Sequence, residues 1–505
     1  MMSDVTSGRV LETVQVGPLD SSIPYGDAVI LSPTYDKAWV DAAPAGSPAW
    51  WLSRLLRQMA VRTPAMLRWD AYYRGEQPLA FASERFRESF GGRFRAFSSN
   101  FMSLVVDGTR ERMEVTGFTF TGTRATKRAW RIWQENQMDA LSLVAHTEAL
   151  IKSVAYALVE PTLNGPRITV EDPYDTITES DPRDQRVRRA GLKRWVDDEG
   201  RLVVYLYLPE NIWKLRSAEK WTGETYRLQP YPQDGEPWPL PNRLGVVPLV
   251  PLVNRPRLGG VGQSEIDQVM SNQDAVNKYR ADALVAAEFA AFRQRWAIGL
   301  DIPEDPVTGL PVEPFKAAVD RLWVIPPPDP DDPNPSEAKF GEFGQTDLAP
   351  YQRMIESEVG AISSISRLPY HYLLGQPQAV PPSGESLKSS EAGLIAKVKT
   401  QLIHFGEGWE ETIRLALLSI GDAAGKDLAS QTVWADPETR NEGVRTDSTV
   451  KAYQSGIIDR NEARIQLGYE PVEEEPPAPP APPEEEPPAT EEAEEVQEES
   501  GEATT

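Results

Sequence analysis

Residues 264–292 read SEIDQVMSNQDAVNKYRADALVAAEFAAF. Ile266, Val269, Met270, Val276, Tyr279, Ala283, Ala286, Ala287 and Ala290 recur at three- and four-residue intervals, the period of an amphipathic helix. Ser264 is placed to cap the first turn, with Asp267 as a weak capping-box partner. The alanine-rich end, ALVAAEFAAF, lets another helix approach closely. A second helical stripe follows over 348–366, where Tyr351, Ile355, Val359 and Ile362 are in phase and Pro369 stops the run. Between the two, residues 299–345 break the period. They are acidic and proline-rich, with one strand-like run at Leu322–Ile325 and an extended PPPDPDDPNP at 326–335. The order is therefore helix, long insertion, helix.

Downstream, residues 375–386 (GQPQAVPPSGES) read as a loop. The longest helix follows over 387–420, where Leu387, Leu394, Ile395, Val398, Leu402, Phe405, Trp409, Ile413 and Leu417 keep helical spacing. A helix of that length needs packing partners along it, or neighbouring subunits. Residues 430–469 form a small helical module after the turn Trp434–Pro437.

Upstream, residues 1–47 are an arm with little structure of its own. Helical spacing begins after Pro48, in Trp51, Leu52, Leu55, Leu56 and Met59, and closes at Gly75 and Pro78. A short helix is expected over Asn100–Val106 and a strand over Val115–Phe120. The tryptophan-rich stretch 123–158 reads as one long helix carrying His146 as a core or surface residue. Ile168–Val170, Leu192–Val196 and Leu202–Leu208 are β-rich, and Asp197–Gly200 supplies a hairpin turn. Val246–Val253 contains Pro248 and Pro251, so it reads as an edge strand. The fold class is α+β, mainly α.

Composition removes whole classes of chemistry. The 505 residues contain no Cys, which excludes disulfide scaffolds, Cys-ligated zinc, iron–sulfur clusters and Cys nucleophiles. The three His are scattered, which disfavours a Ser–His–Asp triad. The net charge is −24, and residues 470–505 hold 14 Glu with no Asp, Lys or Arg, leaving −10 for the remainder. That tail has too little apolar surface to repay its ordering entropy and is expected to be disordered. A protein that coats DNA through global positive charge is excluded. No apolar run is long enough for a membrane helix and no secretory signal opens the chain, so an intracellular or virion location is expected.

The remaining chemical candidates are thin. Gly259, Gly260 and Gly262 precede a helix but lack the Lys-Ser/Thr ending of a phosphate loop. Asp329, Asp331 and Asp332 could bind a divalent cation, but prolines hold them on an extended chain, so a solvated acidic loop is the simpler reading. Arg186, Arg188, Arg189, Lys193 and Arg194 form the densest basic cluster, read as one exposed strand face that could meet phosphate or an acidic partner. Lys388, Lys397 and Lys399 read as a solvated helix face. No residue is assigned a catalytic, metal-binding or cofactor-binding role, and no cofactor is expected.

Several segments in order resemble portal (head-to-tail connector) proteins of long-tailed double-stranded DNA bacteriophages, especially those of phages of actinobacteria. They are YYRG at 72–75, NFMSLVVDGTRERMEVTG at 100–117, the tryptophan-rich run 130–159, VPLVPLVNR at 247–255 and the Gln273-Asp274-Ala275-x-Asn277 motif. PYHYLLG at 369–375, SGES at 383–386, WADP at 434–437 and LGY at 467–469 complete the set. The resemblance covers about 48–469. One departure is Ser153, where the family pattern has Gly.

The resemblance implies a structural protein, not an enzyme, that closes into a ring of about twelve subunits at one capsid vertex. It implies a wing at 48–257 and again in a long helix at 387–422. The stem helices fall at 258–298 and 346–368, around a clip at 299–345. A tunnel loop follows at 369–386, then a crown at 423–469 and the acidic tail at 470–505. Double-stranded DNA would pass through the ring without sequence readout during packaging and ejection. The expected channel residues are Gln376, Pro377, Val380, Pro381, Pro382, Ser383 and Gly384 of the tunnel loop, with Lys388 and Arg367 beside it. Implied partners are other copies of the chain, the major capsid protein, the terminase large subunit, the head-to-tail adaptor and a scaffold protein where one exists. The implied place is the virion portal vertex, with host cytoplasm during assembly. Two other readings stay open at this stage: a different head–neck structural or adaptor protein, and a metal-dependent nuclease using Asp329–Asp332.

Overall fold

The computed structural model describes residues 43–77, 99–221, 228–233, 235–259, 262–291, 295–298, 339–342, 347–374, 384–438, 442–460, 463–464 and 467. The chain divides into two units, Met1–Glu438 and Thr439–Thr505. The expected strand Leu322–Ile325, the Asp329–Asp332 cluster, residues 1–42 of the arm expected over 1–47, and the acidic tail lie outside the described residues.

Helix α1 spans Pro48–Arg74. Ser47 caps it by accepting a hydrogen bond from Trp50 N, and Pro48 stands in the first turn, where its missing N–H costs nothing. Gly75 closes it at φ 73, a conformation that suits glycine. Helix α2 (Met102–Arg110) leads into β1 (Val115–Thr119).

The stretch read as one helix over 123–158 is instead two helices and a strand. They are α3 (Thr123–Glu135), α4 (Met138–Lys152) and β2 (Val154–Thr162). The break has a local cause. Asn136 donates to Ile132 O and Pro166 O and accepts from Ile168 N, so it binds the neighbouring strand rather than continuing the helix. Gln137 then turns left-handed at φ 55, and Asp139 in the first turn of α4 accepts from Trp133 Nε1 at 2.8 Å. The second break is Ser153, at φ 73.

Strands β3 (Gly165–Glu171), β4 (Thr176–Ser180), β5 (Arg188–Val196), β6 (Leu202–Tyr207), β7 (Asn211–Ser217), β8 (Leu228–Pro230), β9 (Leu240–Pro241) and β10 (Leu249–Val253) follow. Among them, β4-β5-β6-β7-β8 run side by side in an antiparallel six-stranded sheet, with β9 also paired to β7. A three-stranded sheet has the order β10-β2-β3, so the proline-containing β10 does lie at an edge. The hairpin turn at Asp197–Gly200 joins β5 and β6, and Trp195 pairs with Val203.

The helix beginning near 264 starts later than expected. Ser264 Oγ accepts from Ile266 N at 3.4 Å, a 3₁₀ turn covers Asp267–Val269, and helix α5 runs Met270–Ala291. Strand β11 (Arg295–Ile298) follows and pairs antiparallel with β12 (Lys339–Glu342), closing both ends of the insertion into a ribbon. Helix α6 spans Ala349–Ser366, the short α7 Tyr370–Leu373, and α8 Gly384–Ser419. At 36 residues, α8 is about 54 Å long. A 3₁₀ turn at Ala423–Lys426 leads to β13 (Gln431–Trp434), which pairs antiparallel with β1. In the second unit, α9 spans Glu442–Gln454.

The main core gathers α2, α3, α4, β2, α6 and α8, with Trp133, Phe405 and Trp409 as its largest fully buried side chains. His146 lies within it. Trp409 Nε1 donates to His146 Nε2 at 2.8 Å, and burial pushes the imidazole down to about 3. It is thus a neutral core histidine. A second core packs Trp51, Leu52, Leu55, Leu56 and Met59 of α1 on one face of the six-stranded sheet. Alternate residues Leu202, Val204 and Leu206 supply that face, as strand geometry requires.

Candidate functional site

Helices α5 and α6 pack along each other, and Asn272 Nδ2 donates to Glu358 Oε2 at 2.8 Å. The β11–β12 ribbon follows α5 and precedes α6, so the end of α5 and the start of α6 lie together and the pair is antiparallel. The polar motif in α5 anchors the near end. Gln273 accepts from Phe101 N at 2.9 Å and donates to Ser99 O at 2.7 Å, while Asn277 accepts from Ser99 N. Asp274 accepts from Tyr72 Oη at 2.8 Å. Gln273 and Asn277 hold the backbone of 99–101 in place, a task for which amide side chains are suited.

Residues 375–383 lie outside the described residues, and with them Gln376, Pro377, Val380, Pro381, Pro382 and Ser383. Their flanks are described. Gly384, expected in the tunnel loop, is the first residue of α8, so the helix begins three residues before the sequence reading placed it. Arg367 ends α6 in the left-handed region at φ 60. Lys388 is exposed on α8.

The flanks are tied together by polar contacts. Arg112 Nη2 donates to Tyr372 Oη at 2.6 Å, and Tyr372 Oη donates to Glu391 Oε1 at 2.8 Å. Arg112 also pairs with Glu391 at 3.4 Å and donates to Pro437 O at 3.0 Å. Burial and the bond to Glu391 push the Tyr372 phenol up, which keeps it a donor. Sequence reading missed this group. Its signal was present only as three polar residues far apart in the chain.

A drier junction stands beside it. Lys397 Nζ donates to Ser366 O at 2.9 Å and to Glu265 Oε2 at 3.3 Å. The two side chains are 6% and 1% exposed. Gln401 Nε2 donates to Glu265 Oε1 and to Asn254 Oδ1, and Asn254 Nδ2 donates to Gln263 O. Burial lowers the Lys397 ammonium while Glu265 opposes that shift. The solvated face expected for Lys397 is therefore wrong: the α8 stripe is polar there because it meets a buried carboxylate. Backbone geometry around this junction is unusual. Ser153, Arg255 and Arg367 all have positive φ, and a Cβ on Gly262 would come within 2.2 Å of Ser153 O.

The basic cluster on β5 is likewise not one exposed face. Arg188 is buried and bonds Glu411 with both Nη atoms, at 2.7 and 2.6 Å. Arg194 is buried against Asp175, Lys193 pairs with Glu171 at 2.7 Å, and Arg186 pairs with Asp184 at 2.9 Å. Arg189 lies over the Trp51 ring. Strand alternation sends these side chains to different surroundings, and local acids neutralise most of them. Among the described residues, no group of three or more His, Asp or Glu could hold a metal ion, and no helix is long and apolar enough to cross a membrane.

The family model "Phage portal protein, SPP1 Gp6-like" matches residues 52–505. Portal proteins of Mycobacterium phage L5 and Mycobacterium phage D29 are each 30% identical over 394 residues, covering 74% of this chain and 76% of theirs. Among solved structures, a chain from the neck of an empty gene transfer agent particle, computed with C6 symmetry, aligns at 12% identity and TM-score 0.44. That alignment covers 78% of this chain and 96% of the other. A chain from the virion of the native gene transfer agent particle aligns at 13% identity and TM-score 0.42, with the same coverage. The chain belongs to the phage portal protein family, whose role is structural, and its fold is mixed α+β, mainly α.

Proposed function

We propose that the chain closes with copies of itself into a ring of about twelve subunits at one capsid vertex, and that double-stranded DNA passes through the central channel. The observation that carries this is the antiparallel pair α5 and α6, joined at one end through the ribbon β11–β12. In this reading α5 and α6 are the stem and 299–345 is the clip. Residues 48–257 and 387–422 form the wing, 369–386 the tunnel loop and 423–469 the crown.

A channel for a sliding polyanion works against tight phosphate binding, because each neutralised phosphate adds to the free energy of release. The net charge of −24 and the pairing of the β5 cations favour such a surface. Lys388, exposed, and Arg367 would supply a few ring-repeated positive charges beside the loop. The loop's small apolar residues would touch DNA by shape, without base readout. The partners of such a ring are the major capsid protein, the terminase large subunit, the head-to-tail adaptor and, where present, a scaffold protein. Assembly would begin in the host cytoplasm and end at the virion portal vertex.

The test is the mass and symmetry of the purified chain, by multi-angle light scattering with negative-stain class averages. A closed ring of about twelve subunits with a central hole is expected. A chain that stays unclosed even with its capsid protein present sinks the reading in favour of a head–neck adaptor.

A further inference from the structure

We propose that Arg112 is a positioning residue that pins the two flanks of segment 375–383 to the body of the protein. Arg112 stands in the turn between α2 and β1, yet its guanidinium reaches three distant stretches. It meets Tyr372 before the segment, Glu391 after it, and the carbonyl of Pro437. Tyr372 closes the link by donating to Glu391. The tie therefore joins α7 to the first turns of α8.

The chemistry is specific to arginine. A planar guanidinium presents donors in fixed, divergent directions, so one edge can serve Tyr372 and Glu391 while the other serves Pro437. A lysine ammonium is a point charge and cannot hold that arrangement. The Arg112 and Glu391 side chains are 12% and 14% exposed, so water competes weakly for them. The nearby backbone is seated closely as well: a Cβ on Gly108 of α2 would lie 2.9 Å from Leu368 Cδ2. Ser363 Oγ holds Leu368 O at 2.7 Å. Those contacts fix only the approach to the segment. The Arg112 group also fixes its exit.

The consequence for function rests on the portal reading. A segment that lines a passage in a ring has to stand at one height in every copy, and its height is set by its flanks. Arg112 would set that height without touching the DNA.

The experiment is hydrogen–deuterium exchange by mass spectrometry on the full chain. Wild type is compared with Arg112→Met, Arg112→Lys and Tyr372→Phe, with urea unfolding in parallel. Arg112→Met should raise exchange by about tenfold in peptides covering 370–374 and 388–395 together, while β5 and β6 keep their rates. Tyr372→Phe should loosen the same two peptides. Arg112→Lys should restore little of the protection. A rise at one flank alone, a uniform rise that tracks global stability, or no change would each overturn the proposal. If Arg112→Met does not fold, Tyr372→Phe carries the same test. Exchange is read without DNA or capsid. A wild type that stays unclosed even with its capsid protein present would sink the portal reading and leave this result standing, whereas intact rings with unchanged flanks would sink only this one.

Discussion

Two polar clamps hold α8, under two turns apart, and they differ in dryness. Lys397 and Glu265 are 6% and 1% exposed, with a backbone carbonyl, two amide side chains and, at 3.7 Å from Glu265, the Arg255 guanidinium around them. Arg112 and Glu391 are 12% and 14% exposed and share a phenol. A pair removed from water forfeits hydration that its mutual attraction only partly restores. A pair that keeps a little solvent contact forfeits somewhat less, and water can partly replace a lost partner. The dry clamp should thus be intolerant of losing one partner. The wetter one should be tolerant, and more useful for local positioning than for stability.

The largest expected effect comes from Lys397→Met. It leaves the buried Glu265 carboxylate with only the more distant Arg255 guanidinium, at 3.7 Å, and two amide donors, and should cost about 3 kcal/mol in urea unfolding. Adding Glu265→Gln should recover most of that loss, because the pair is then replaced by neutral groups of similar size. Arg112→Met should cost about 1–3 kcal/mol, since Glu391 keeps some access to water. Equal losses at the two sites would break the comparison.

His146 sharpens it from another side, as a buried titratable group with no counter-ion. Its folded value of about 3 lies below the ordinary 6.5, because burial disfavours the charged form. Between those values the unfolded chain binds the proton and the folded chain does not. Stability from this group is therefore intact above pH 6.5 and falls as the pH drops towards 3, by about 1.4 kcal/mol per pH unit. The check is the difference in pH dependence between wild type and His146→Gln, whose amide oxygen can still accept from Trp409. Parallel curves for the two proteins would remove His146 as the source.

The helices that carry the fold were legible because period survives in sequence. The stripes in α5, α6 and α8 read correctly to within a few residues, apart from α5's later start behind a 3₁₀ turn. The break at 136–138 was not legible as a stripe. It depends on Asn136 finding the backbone of β3, a contact thirty residues away. Charge was least legible of all. Lys388 and Lys397 look alike on a helical projection, yet one is exposed and the other is buried against Glu265. The Arg186–Arg194 run looked like one surface until strand alternation and nearby acids divided it. The expected loop residues Gln376–Ser383 were chosen by resemblance, whereas the group that frames them is assembled from positions 112, 372, 391 and 437, which no local pattern joins.

The smallest effect concerns the edge of the dry clamp. Ser153 takes φ 73 between α4 and β2, and its carbonyl accepts from Asn254 N at 3.0 Å. A non-glycine residue held left-handed carries roughly 1 kcal/mol of strain from its Cβ. The family resemblance has glycine at this position. Ser153→Gly should therefore stabilise the protein, by less than about 1 kcal/mol, because glycine's greater freedom in the unfolded chain offsets part of the relief. Ser153→Ala keeps the Cβ and should give no such gain, which separates backbone strain from loss of the hydroxyl. If Ser153→Gly destabilises instead, the serine side chain contributes to the clamp, and the junction depends on more than Lys397, Glu265 and their amide partners.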